Sequence, residues 1–72
     1  MQEGRAIILI LRSIKQRGLQ ESTDEAIGRL LLNTPKGEAR EELATKLIQI
    51  IEDENNTEQD ILNYIDTMEK QL

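Results

Sequence analysis

The apolar residues of this chain are almost all isoleucine, leucine and alanine, and they recur three and four positions apart. That spacing lines them up along one side of a 3.6-residue helix and so favours amphipathic helices over strands. Tyr64 is the single aromatic residue, so the core has to be built from short branched side chains, which interdigitate well between closely spaced helices. The same lack of rings removes the stacking platform that a binder of single-stranded nucleic acid needs.

Little else is available to hold so short a chain together. A domain of 72 residues buries only about 60% of its unfolded surface. A disulfide needs cysteine and a structural zinc site needs cysteine or histidine, and the sequence contains neither. Association with another chain is the remaining support. The length suits one unit, and residues 1–72 are read as a single helical-bundle domain.

Punctuation along the chain predicts four helices, over about 2–17, 23–33, 35–54 and 58–71. The first closes at Gly18, a residue type that accepts the left-handed backbone just past a helix end. Its Ile7, Ile10, Leu11 and Ile14 fall at i, i+3, i+4 and i+7, predicting one buried face. The run Ala6 to Leu11 also suits a short strand. However, Arg12, Lys15, Gln16 and Arg17 are good helix formers and no second segment offers a partner strand. Ser22, with Glu25 three residues on, predicts a capping box opening the second helix, whose apolar side is Ile27, Leu30 and Leu31. Gly28 in its middle either admits a close neighbour or is tolerated at the surface.

Thr34 and Pro35 predict a cap and first helical position for the third helix, with Leu43, Ala44, Leu47, Ile48 and Ile51 on its stripe and Ile50 at the edge. Asn55 and Asn56 stop it. Thr57 with Asp60 opens the last helix, marked by Ile61, Leu62, Ile65, Met68 and Leu72, with Tyr64 on the flank. Short connections then imply an all-α fold, a compact bundle of four short helices with roughly antiparallel neighbours. A three-helix core with a mobile or swapped first helix is the rival.

Catalytic chemistry finds little to work with. Without histidine or cysteine, the Ser-His, Cys-His and histidine–metal arrangements are all closed. The expectation is no enzyme, no cofactor and no metal. The acids Glu52, Asp53, Glu54, Glu58 and Asp60 invite a calcium reading. A calcium loop begun at Asp53, though, has Glu58 where glycine is needed and Tyr64 where a bidentate glutamate is needed. Gly4, Gly18, Gly28 and Gly37 are too dispersed to cradle a phosphate. The longest apolar run, Ala6 to Leu11, is far short of the roughly 20 residues that span a bilayer. It is followed by Arg12, Lys15 and Arg17 rather than by a signal-type cleavage site, so a cytoplasmic protein is expected.

Charge is unevenly spread along a chain of net charge −5. The first 20 residues hold Arg5, Arg12, Lys15 and Arg17 against Glu3, whereas residues 41–72 hold two lysines against nine acids. The basic segment either contacts an anionic partner or lies against the acidic third and fourth helices, within the fold or across a dimer. A helix-turn-helix reading of the second and third helices meets Glu38, Glu41 and Glu42 in the would-be recognition helix, acids that phosphates repel.

Ile8 and Leu9 fall off the predicted stripe of the first helix, and one bundle face cannot bury all six of its large aliphatics. The expected partner-binding residues are therefore Ile8, Leu9, Arg5, Arg12 and Lys15, with Leu32 joining the patch. The expected function is a small non-catalytic protein-protein interaction or regulatory module that self-associates through the first helix. An accessory nucleic-acid-binding protein using Arg5, Arg12, Lys15 and Arg17 is the alternative.

Overall fold

A computed structural model describes residues 3–72, with side chains from Gly4 onward. Four helices follow one another: α1 (Glu3–Arg17), α2 (Glu21–Asn33), α3 (Glu38–Glu52) and α4 (Glu58–Glu69). The expected start of the first helix at Gln2 lies outside the described residues. No strand occurs among the described residues.

The core explains why these helices form together. Ile10, Ile27, Leu30, Leu47, Ile51 and Ile61 are fully enclosed, and burial of each such side chain contributes about 1.5–3 kcal/mol. α1 packs mainly on α3, and α2 on α4, while α2 also touches α3. The α1 ridge is Ala6, Ile10 and Ile14 and the α3 ridge is Leu43, Leu47 and Ile51, all buried. Both ridges step by four residues, the row along which helices interdigitate best. Helices adjacent in sequence meet only sparsely. This arrangement leaves a groove between α1 and α2 and another between α3 and α4.

The radius of gyration is 11.1 Å, close to the roughly 11 Å expected of a compact chain of this length. The first helix therefore packs within its own bundle rather than standing away from it.

The α1 stripe is rotated from the predicted one. Ala6, Ile10, Ser13 and Ile14 are buried, Ile7 is half-buried, and Leu11 is exposed. Large aliphatics attracted the prediction, but close approach to α3 favours the small Ala6 and Ser13. The Ser13 hydroxyl donates to the Leu9 carbonyl at 2.9 Å and lies 3.3 Å from Glu52 Oε1.

Two helix starts also differ from expectation. α2 begins at Glu21 with Gln20 at the N-cap and no local side-chain cap, and Ser22 is exposed within the helix. Thr34 closes α2 rather than opening α3, and its hydroxyl donates to the Leu30 carbonyl at 2.9 Å. α3 starts after Gly37, whose φ of 96° is open to glycine but strained for other residues. The two other signals hold. Gly18 sits at φ 65°, with Leu19 N–H donating to the Ile14 carbonyl in a Schellman closure. Thr57 and Asp60 form the capping box of α4. Leu72, expected on the α4 stripe, lies beyond the helix end and is 60% exposed.

Candidate functional site

α1 and α2 turn back on each other through the three-residue connection Gly18-Leu19-Gln20. The shallow groove between them, about 160 Å³ in volume, is lined on the α1 side by Ile7, Ile10, Leu11 and Ile14. On the α2 side it is lined by Asp24, Ile27, Gly28, Leu31 and Leu32, with Arg40 of α3 reaching it from beneath. Two of the lining side chains are large aliphatics open to solvent, Leu11 at 54% and Leu32 at 76% exposed, and Ile8 of α1 is 60% exposed as well. Leu11 was expected in the core; its exposure enlarges the patch that Ile8 and Leu32 were expected to form. Leu9, expected in the same patch, is half-buried and is not among the residues lining the groove.

Gly28 is the one glycine in the groove lining. A Cβ built there meets nothing within 4 Å, so the glycine is not required by close packing inside the domain. It leaves a notch in the α2 wall that a side chain from outside can enter.

Asp24 and Arg40 are the charged residues lining the groove, and further charge stands on the exposed surfaces of the two helices beside it. Arg5, Arg12 and Lys15 are exposed along the outer side of α1, and no carboxylate among the described residues forms an ion pair with them. The basic helix thus packs on α3 through its aliphatic side and leaves these three cations outside the fold. Glu21 and Glu25 are exposed and Asp24 half-buried in the first turns of α2, where a helix N-terminus favours negative charge. Arg29, further along α2, faces Glu69 of α4 at 3.4 Å.

Arg17 and Arg40 serve a different purpose. Arg17 Nη1 donates to the carbonyls of Ile51 at 2.6 Å and Asp53 at 2.9 Å, and its Nη2 to that of Asn56, so it closes the C-terminus of α3. A cation at a helix C-terminus satisfies carbonyls that have no partner within the helix. Arg17 is therefore engaged within the fold, unlike the three cations with which it was grouped. Arg40 is buried and donates to the Thr34 carbonyl from Nε at 3.2 Å and Nη2 at 2.9 Å, closing α2 in the same way. Nothing in the local sequence signals Arg40, because its acceptor exists only once the α2–α3 turn is formed.

The acidic cluster is likewise drawn into helix ends. Asp60 caps α4 by accepting the Thr57 N–H at 2.9 Å, and Asp53 accepts the Asn55 N–H at 2.9 Å. Glu58 reaches α2, where its carboxylate accepts the Gln20 N–H at 2.8 Å and the Thr23 hydroxyl. These two hydrogen bonds, the Thr23 one foremost, hold the Glu58 carboxyl below its ordinary pKa.

The second groove, about 330 Å³, lies between α3 and α4 over Leu30 and Leu43, with Tyr64 and Met68 on its α4 wall. Burial pushes the Tyr64 phenol above its ordinary pKa. No helix of the described residues is long and apolar enough to cross a membrane. Compared with protein-family models, with curated proteins and with solved structures, the chain matches none.

Proposed function

We propose that this protein is a small non-catalytic interaction module of regulatory type that self-associates through α1 and the groove beside it. The observation carrying this reading is the exposure of Leu11 and Leu32 in the lining of one groove, with Ile8 also exposed on α1. Isolated exposed leucines are ordinary, but two lining one groove, with a third large aliphatic exposed on the same helix as Leu11 and charge nearby, have the makeup of an interface core. In a 72-residue chain with so small a core, covering that face also adds to stability, because whatever binds the folded state alone favours it.

The test is Ile8→Glu. Ile8 is exposed, so the substitution should leave far-ultraviolet circular dichroism unchanged while shifting sedimentation toward the monomer. An unaltered sedimentation profile would remove α1 from the interface.

A second reading is favoured by the three exposed cations: accessory nucleic-acid binding through Arg5, Arg12 and Lys15. A duplex titration at increasing salt separates the two. Phosphate contacts give affinity that falls steeply with ionic strength, whereas an aliphatic interface responds weakly.

A further inference from the structure

We infer that the occupant of the α1/α2 face is a second copy of this chain, seated about a twofold axis that runs along the groove. This rests on the self-association reading above and specifies its geometry. A rotation about that axis lays α1 of each copy over α2 of the other, so the same pair of surfaces meets twice and the assembly closes.

Three features of the face are complementary under this operation. The first is charge: the rim of α1 is basic through Arg12 and Lys15, and the rim of α2 is acidic through Glu21, Asp24 and Glu25. Pairing α1 with α1 directly would set like charges together. The groove axis instead brings each basic rim onto an acidic one.

The second is register. The three-residue turn places the C-terminal part of α1 beside the N-terminal part of α2, with Ile14 and Asp24 lining the same groove. Because the rotation preserves direction along its axis, Arg12 and Lys15 arrive at the acidic end of the partner's α2. Ile8 arrives at the other end, at the partner's Leu32.

The third is shape. Between those two contacts, Leu11 meets the partner's Gly28, the glycine of the α2 wall, where a Cβ would touch nothing within its own domain. An exposed leucine on one surface is thus matched by an open notch on the other, and the twofold supplies both matches twice.

Helices of 15 and 13 residues are about 22 and 20 Å long. A face made from two of them lies at the small end of specific interfaces and suits a reversible dimer.

The experiment is a charge exchange on the full chain. One variant carries Arg12→Glu with Lys15→Glu and the other Asp24→Lys with Glu25→Lys. Sedimentation of each alone should show dimerisation weakened about tenfold or more, and mixing the two should restore it as a heterodimer. Since the chain has no cysteine, a disulfide readout is also clean. A chain with Ile8→Cys mixed with one carrying Leu32→Cys should cross-link to each other in preference to themselves. This readout involves exposed positions only and stands even if a charge variant fails to fold.

Variants that dimerise like the parent, or cross-links without that preference, would overturn this geometry while leaving self-association intact. A parent chain that stays monomeric would overturn both.

Discussion

Glu58 joins two helices through one carboxylate. It belongs to the first turn of α4, yet it accepts the Gln20 N–H and the Thr23 hydroxyl at the start of α2. Its folded pKa lies below the ordinary 4.5, so the linkage has a defined sign. The stabilisation is fully present above that value and is lost as pH falls from there through the lowered folded pKa. The expected outcome is that Glu58→Gln lowers the melting temperature near neutral pH, and that the gap between parent and variant narrows in acid below pH 4.5. A gap of constant size would mean that the charge of Glu58 contributes nothing. Sequence showed the Thr57–Asp60 box because both partners lie within one turn. It pointed to Ser22 for α2 because the residue that covers that end lies 35 positions away from Thr23, where no local pattern reaches.

At the level of the helices, Arg17 determines how α1 meets α3. Its guanidinium closes three carbonyls at and beyond the α3 terminus, so the basic end of α1 and the end of α3 are fastened together. Arg17→Ala should lower unfolding stability by about 1.5–3 kcal/mol in urea titration, the range for hydrogen bonds to a charged group. A loss near zero would show that water replaces the guanidinium at no cost. The four helices and their approximate limits were legible because leucine and isoleucine keep a helical period through each segment. The rotation of the α1 stripe was not, since Ala6 and Ser13 are chosen by closeness to α3 and not by hydrophobicity. The same rotation turns Leu11 outward. It therefore adds to the candidate site a residue that periodicity assigns to the core, and Gly28 acquires meaning only when the groove beside it is seen.

For the whole molecule, the arrangement of helices accounts for the exposed face. Because α1 packs on α3 and α2 on α4, a groove is left between α1 and α2, and the exposed Leu11 and Leu32 line it. The two helices beside it also differ in charge, with Arg5, Arg12 and Lys15 on α1 and Glu21, Asp24 and Glu25 in the first turns of α2. A second copy covering this surface would show itself in molecular mass, read by sedimentation equilibrium across a concentration series. The mass should rise from the 8.3 kDa of one chain to twice that value as concentration increases. A mass that stays at 8.3 kDa at every concentration would contradict it.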